Sequence, residues 1–302
     1  MPGPSRVLKA LLAACTLCIS VGAKAQPVTG AVERLSPDRP EAWAMNYFTA
    51  SSFMTGFGET RPLQPGQWMA AVELGHIPRL SEEQRQVGFS GFKQEDLNKS
   101  PVIGRLRGTI GLPGGWVAEL GYTPPLEIDN TRAHDLLAAA IGRRLYERGE
   151  VSLSARVFGQ HGQVGGDITC PAELAGIEDV ERNPYGCRRP SDDRLQLNYY
   201  GLELMLARQR GAWQWHAGIA AVRTETEVRV DAYTYGVHDR SRLVAKDVLT
   251  AITVGTTRTL GQHWYWGAEI LYVPLQVRRG EDRSSENDPL VSVRLHLRYE
   301  AD

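Results

Sequence analysis

The sequence predicts an all-β protein, an antiparallel up-and-down transmembrane β-barrel of about ten strands (eight to twelve), preceded by a short N-terminal helix. Three observations carry this. The chain opens with an export signal, apolar residues recur at every second position over most of its length, and the connections alternate between tight and long.

The export signal comes first. Arg6 and Lys9 form a basic region, residues 10–21 are apolar and uncharged, and Ala23-Lys24-Ala25 is a small-x-small cleavage site before Gln26. The apolar stretch is too short for a spanning helix, which takes about 20 residues. Leu12-Ala13-Ala14-Cys15 has the form of a lipoprotein processing box, but cleavage there would leave an apolar core of only a few residues, so the later site is preferred. The expected division is a signal peptide over 1–25, an N-terminal segment over 26–65 and a barrel domain over 66–302.

Composition narrows the class further. A net charge of -1 over 302 residues shows no basic excess for nucleic acid and no acidic tail. A mean hydropathy of -0.31 does not fit a bundle of membrane helices. Cys15 and Cys18 fall in the signal. Cys170 and Cys187 remain as an even pair for an oxidising compartment and predict a disulfide. No His lies between them, which argues against a metal site.

Residues 36–56 come next. Pro37 and Pro40 precede Trp43, Tyr47, Ala50 and Met54, spaced three or four apart, and Gly56 follows. This predicts a short helix with proline in its first turn and glycine past its end. It is expected to plug the barrel, to lie at the periplasmic rim, or simply to lead into the first strand.

From Gln67 onward the period is two. Trp68, Ala70, Val72 and Leu74 alternate with Met69, Ala71, Glu73 and Gly75, and Trp116, Ala118, Leu120 and Tyr122 with Val117, Glu119, Gly121 and Thr123. Successive strand side chains point to opposite faces, so each segment has an apolar and a more polar side. Ten such segments are expected over 66–77, 101–112, 115–124, 133–146, 151–161, 194–208, 212–225, 246–258, 263–276 and 288–300. Most are long enough for the roughly 9–11 tilted residues that cross a bilayer.

Pro113-Gly114, Glu147-Arg148-Gly149-Glu150, Gln209-Arg210-Gly211 and Leu260-Gly261-Gln262 read as tight turns, with long links between them. Short turns face the periplasm in such barrels, and an even strand count puts both chain ends there. Trp116, Trp213, Trp215, Trp264 and Trp266 follow these turns, where amphipathic rings suit headgroup depth. A soluble periplasmic β-sandwich is the competing reading.

These features together resemble the outer-membrane β-barrel class of Gram-negative bacteria. The resemblance is carried by Ala23-Lys24-Ala25, the alternating strands, the aromatics at the turns and the final segment Val291, Val293, Leu295, Leu297, Tyr299. It covers about residues 66–300. The terminal segment is similar to the strand that the barrel-assembly machinery reads, although the class typically stops on Phe and here Glu300-Ala301-Asp302 follows Tyr299. The resemblance implies location in the cell outer membrane after export, contact with outer-membrane lipid, assembly by that machinery and a monomeric state.

Charged residues on the polar faces are the functional candidates. Glu73-Leu74-Gly75-His76-Ile77-Pro78 recurs as Glu119-Leu120-Gly121-Tyr122-Thr123-Pro124 and as Glu269-Ile270-Leu271-Tyr272-Val273-Pro274. Each places a carboxylate on the polar face, a ring on the lipid face and a proline where the strand leaves the membrane. Glu203 adds a fourth carboxylate. Opposing them are Arg105, Arg107, Arg144, Arg156, Arg294 and Arg298, with His216 and His296. A barrel of about ten strands has a narrow lumen, so these charges must pair or stay hydrated.

Two functions are therefore expected: a structural barrel shut by its charge network, or a narrow passive channel for small solutes. A third is a barrel-embedded hydrolase, protease or lipid-modifying, near Gly236-Val237-His238-Asp239 and Asp192-Asp193 on the outer loops. Outer-membrane proteases resemble this chain in strand number, but it has no Asp-x-His, no Asp-x-Asp at a strand end and no Ser/His/acid arrangement. No enzymatic activity is expected. Phosphate-cradling, zinc and dinucleotide motifs are missing from the sequence, so no cofactor is expected.

Overall fold

The computed structural model describes residues 28–280 and 282–301. The expected signal peptide lies outside them. Ten long strands form one closed antiparallel barrel: β1 Trp68–His76, β2 Val102–Leu112, β3 Trp116–Thr123, β4 Thr131–Arg148, β5 Val151–Gly166, β6 Asp193–Arg210, β7 Trp213–Arg229, β8 Arg242–Leu260, β9 Trp264–Val273 and β10 Leu290–Glu300. Each pairs with its sequence neighbours, and β10 returns to β1 with Leu295 opposite Leu74 and His296 opposite Glu73. Closure removes the sheet edges that a bilayer would leave unpaired.

Strand parity explains the two surfaces. Val72, Leu74, Ile141, Leu202, Ile219, Val254 and Val293 point outward and are exposed, as lipid-facing side chains must be. Trp68, Trp116, Trp215 and Trp264 ring the turn end, where Tyr299 meets Trp264 at 5.1 Å and Trp68 at 5.9 Å between ring centroids. Tyr122, Tyr200 and Tyr272 are exposed towards the other rim. Tyr272 lies eight positions on from Trp264, about 26 Å of strand, which a tilt of about 35–45° brings to roughly 20 Å of the apolar band's height.

The wall is uneven. β4 to β8 run 16 to 19 residues, whereas β9, β10 and β1 to β3 run 8 to 11. The tall side extends further outward than the sequence periodicity suggested. Glu227 opposite Val244 and Arg229 opposite Arg242 continue the β7–β8 ladder beyond the membrane. Period two persists there because Val228 and Leu243 pack inward while charges face out. β4 carries a bulge at Asp135, whose φ is 49°, and the register with β5 shifts between His161 and Gln163. Glycine is required opposite: a Cβ at Gly162, whose φ is 140°, would lie 2.6 Å from the Leu136 Cα.

The helix α1, Pro40–Ser51, sits in the outer half of the lumen. Pro40 presets the backbone of its first turn. Every residue except Phe48 is buried, as expected of a helix packed on all sides. Trp43, Tyr47 and Ala50 pack with Ala220, Val222, Leu249, Ala251, Leu271 and Val273 of the wall. Trp43 Nε1 donates to the Asp288 carbonyl at 2.9 Å and Asn46 Nδ2 to Asp247 at 3.1 Å.

The chain threads the barrel. Val32–Arg34 pairs with Arg242–Val244 at the outer end of β8, and Val28–Thr29 pairs with His238 and Asp239 in an outer loop. After α1 the chain descends to the turn end, where Gly66 N donates to Gly111 O at 3.0 Å. The expectation of two periplasmic ends is therefore corrected. The C-terminal strand closes at the turn side, with Ala301 N bonded to Trp68 O at 3.0 Å, but Val28 lies at the outer side. The threading backbone is possible because lumen side chains satisfy its polar groups.

Candidate functional site

The inner half of the lumen is built from charged residues that strand parity turns inward. Glu73, Arg107, Glu119, Arg156 and Glu203 form one continuous chain across β1, β2, β3, β5 and β6. Arg107 Nε lies 2.6 Å from Glu73, and its Nη1 lies 3.0 Å from Glu119. Arg156 Nη1 reaches Glu119 at 3.0 Å and its Nη2 reaches Glu203 at 2.5 Å. On the opposite side Arg294 pairs with Glu269, its cross-strand neighbour, and His216 Nε2 lies 3.3 Å from the same carboxylate. All of these side chains are buried. An isolated charge there would be costly, and each is offset by an opposite one.

The second set of partners is the backbone of residues 52–60. Arg294 donates to Phe53 O at 2.9 Å and to Thr55 O at 3.0 Å, and Arg156 to Met54 O at 2.9 Å. Arg105 donates to Ser52 O and, at 2.8 Å, to Gln160 Oε1. The Tyr199 hydroxyl donates to Ser52 O at 2.9 Å and accepts from Met54 N at 2.8 Å. Gly56 N donates to Glu203 at 2.8 Å and Phe57 N to Glu269.

Gly56, Phe57 and Gly58 all have positive φ, at 76°, 64° and 89°. The turn aims successive N–H groups at two walls, and a carboxylate takes each: Glu203 accepts from Gly56 N and Glu269 from Phe57 N. Only glycine fits at 56, because a Cβ would strike the Glu269 carboxylate. Phe57 is neither glycine nor asparagine, and its positive φ is a strained conformation that its surroundings impose. Its ring lies 5.0 Å from the Arg294 guanidinium, 5.5 Å from that of Arg107, and edge-on to His296 at 4.9 Å.

The remaining predicted residues fall in the same lumen with different neighbours. His296 is buried with neither ring nitrogen bonded among the described residues. Arg298 lies 4.6 Å from the Tyr265 ring centroid. Arg144 pairs at 2.8 Å with Glu59 of the threading segment, which also reaches Ser152 and Gln214. Sequence reasoning missed Gln160, Tyr199 and Glu59. Tyr199 shares the strand parity of Glu203, which is a usable signal. The signal for Glu59 is only its place beside the Gly56-Phe57-Gly58 turn.

The outer loops arrange the other candidates otherwise than their sequence positions suggest. His238 Nε2 lies 2.9 Å from Asp231, not against its neighbour Asp239, and its ring stacks on Tyr233 at 4.1 Å. Asp239 instead accepts from Ser241 N at 2.9 Å. Asp192 pairs with Arg194, whereas Asp193 accepts from Thr169 N and Ser191 Oγ. Cys170 and Cys187 are joined in a disulfide packed against Ala232. In the loop over 78–100, Lys93 pairs with Glu95 and donates to Thr169 O at 2.7 Å. Burial outweighs that lysine and pushes the Glu95 carboxyl up to about 8.

No family model matches this chain, and no curated protein does. Solved structures do. Neisserial surface protein A is similar at 7% identity over 77% of this chain and 96% of its own, with a TM-score of 0.30. The outer membrane protease OmpT of Escherichia coli is similar at 13% over 78% and 94%, with a TM-score of 0.32. The toluene transporter TodX of Pseudomonas putida is similar at 12% over 90% and 78%, with a TM-score of 0.33. These likenesses are loose. The barrel assignment rests on strand pairing that closes through all ten strands.

Proposed function

We propose that this chain is a monomeric outer-membrane barrel that acts as a plug-gated passage for a small solute. Residues 52–64 are the gate, and the resting state is shut. One observation supports this above the others: the wall charges are paired wall to wall. Glu73, Arg107, Glu119, Arg156 and Glu203 join one another, as do Glu269 and Arg294. The threading segment adds mainly backbone groups to these pairs. Its withdrawal would leave a charged, hydrated and still paired wall, and water would satisfy the released backbone. A barrel that needs only filling can use its own side chains. Here β4 faces the segment with Ala138, Ala140 and Gly142, small residues that leave it room.

The same reading takes residues 1–25 as a cleaved export signal, outer-membrane lipid as the surroundings of the belt, and the barrel-assembly machinery as the reader of β10. It assigns no cofactor and no catalysis. The hydrolase alternative would draw on the His238–Asp231 contact. The other contacts of His238, with Arg240 and the Tyr233 ring, suit packing of a loop hairpin.

Conductance in planar bilayers tests the gate. The full chain is expected to be mostly closed. A chain lacking residues 28–64 is expected to conduct steadily. Cysteines at Thr60 and Ser154, whose backbone N and Oγ lie 3.1 Å apart, are expected to abolish openings when oxidised and restore them when reduced. A deletion variant that keeps heat-modifiable gel migration yet stays silent would overturn the gate.

A further inference from the structure

Beyond the charged half of the lumen lies an apolar cavity of about 490 Å³. Small-molecule pockets run about 300–1,000 Å³. Its inner lining includes Phe48, Ile103, Leu195 and Val228. Phe48 is the one residue of α1 that is not buried, and it is turned into this space. The same cavity is also lined by Leu74, Leu106 and Leu126, which are exposed on the outside of the barrel. One cavity with both linings passes through the wall.

The strand pairing shows where. The β2–β3 ladder begins at Leu106 opposite Tyr122, so residues 102–105 of β2 have no ladder partner on that side. The β3–β4 ladder stops at Thr123 opposite Leu136, and pairing on that side of β4 resumes only at Arg132 opposite Glu127. Residues 133–135 face the same gap. Pro124 and Pro125 follow β3 and have no N–H with which to extend it. The bulge at Asp135 bends β4 at the same level. The gap lies beside Tyr122, at the rim of the lipid belt, where headgroup water can satisfy the open backbone groups.

We propose that this gap is a lateral portal, through which a small uncharged apolar molecule passes between the bilayer and the cavity. The inference rests on the plug-gated reading and names the class of solute for it. The lining decides the class. Its lining is mainly aliphatic and aromatic, and the charged side chains that reach it are already engaged: Lys99 with Asp96 at 2.7 Å and Asp167 at 3.0 Å, Glu41 with Arg39 at 2.8 Å, Glu95 with Lys93, Arg105 with Gln160 at 2.8 Å, Asp193 with Thr169 N and Ser191, and Arg194 with Asp192. A polar solute would lose its hydration there and gain no partners. An apolar one is already concentrated in the bilayer, whose rim the portal meets.

Photolabelling tests this with the full chain in lipid vesicles. A neutral trifluoromethyl-phenyl diazirine, which partitions into the bilayer, is irradiated and its adducts are mapped by mass spectrometry. Belt residues such as Ile219 and Val254 are labelled in any case. The expected result is additional label on Phe48 and Leu195, with the buried Trp43 as the unlabelled control. Gly104→Trp at the portal and Ala133→Trp in the cavity should each lose the Phe48 label and keep the belt label. Labelled belt residues with Phe48 no more labelled than Trp43 would overturn the portal. So would equal labelling of Phe48 by a water-soluble carboxylate diazirine, since the cavity would then fill from water. The readout is independent of conductance. A silent barrel after removal of 28–64 sinks the gate while label on Phe48 of the full chain still supports the portal, and a conducting deletion variant with Phe48 of the full chain unlabelled does the reverse.

Discussion

Glu269 on β9 and Arg294 on β10 stand directly opposite each other, and both also grip the threading segment. Arg294 donates to the carbonyls of Phe53 and Thr55, while Glu269 accepts from Phe57 N. One cross-strand ion pair thus serves the wall and the plug together. It holds the segment just before and within the strained Gly56–Phe57 turn.

Arg294→Ala should therefore do more than weaken the barrel. It leaves Glu269 buried with His216 as its remaining side-chain partner, and breaking such a pair costs about 3–5 kcal/mol. The expected outcome is a lower unfolding midpoint in detergent together with a raised open probability in bilayers. Arg294→Lys should recover part of the midpoint but less of the closure, because an ammonium cannot present the same fork to two carbonyls. A destabilised but equally silent Arg294→Ala barrel would separate the pair from gating.

The loop over 78–100 should loosen as pH rises. The Glu95 carboxyl titrates near 8 in the folded loop, against about 4.5 when exposed. The folded form therefore holds the proton more tightly, so its stabilisation is fully present below about 4.5 and is lost as pH rises through about 8. Hydrogen exchange of the amides over 93–97, corrected for its intrinsic pH dependence, should show protection falling across that window. Glu95→Gln keeps a neutral side chain at every pH and should flatten the profile. An unchanged slope in that variant would show that another group controls the loop.

With the tight turns facing the periplasm, as proposed, threading should put residue 30 outside the cell. Gly30 is exposed, with no other residue within 4 Å of a Cβ built there, so Gly30→Cys should not disturb packing. It should react with a membrane-impermeant maleimide on intact cells. A cysteine replacing Glu150, in a tight turn at the opposite end, should react only after the outer membrane is opened. The reverse pattern would invert the topology.

The barrel was legible because period two survives wherever one face meets lipid and the other meets charge, as in Trp116 to Tyr122. It fades where both faces are apolar. Leu136-Leu137-Ala138-Ala139-Ala140-Ile141, Ile219-Ala220-Ala221-Val222 and Ile270-Leu271-Tyr272-Val273 have lipid on one side and α1 or its neighbours on the other. Such unbroken runs mark strands covered on both faces. They were the available sign that the outer half of the lumen is filled with apolar side chains.

The charged half was legible by position and not by contact. Alternation tells which side Glu119 or Arg156 takes, but it cannot tell what lies across from them. Arg156 meets the carbonyls of Met54 and Gly56 besides its two carboxylates, and backbone groups leave no trace in side-chain identity. The portal was hidden for a related reason. Pro124-Pro125 is visible as a strand terminator, but the lengths of β2 and β4 beyond it depend on pairing with β1 and β5.

A chain that runs through the middle of its own ring constrains the order in which the ring can be made. Once β10 has zipped onto β1, residues 28–64 could reach their places only by passing, with α1 and its three aromatic rings Trp43, Tyr47 and Phe48, up a bore crowded with guanidinium groups. Protein chains seldom thread closed loops in this way. The simpler history is that the sheet curls around the segment, and β1 and β10 meet last. Glu73, Glu203, Glu269 and the arginines beside them would then act first as a mould, gathering the strands around a common thread before the seam closes.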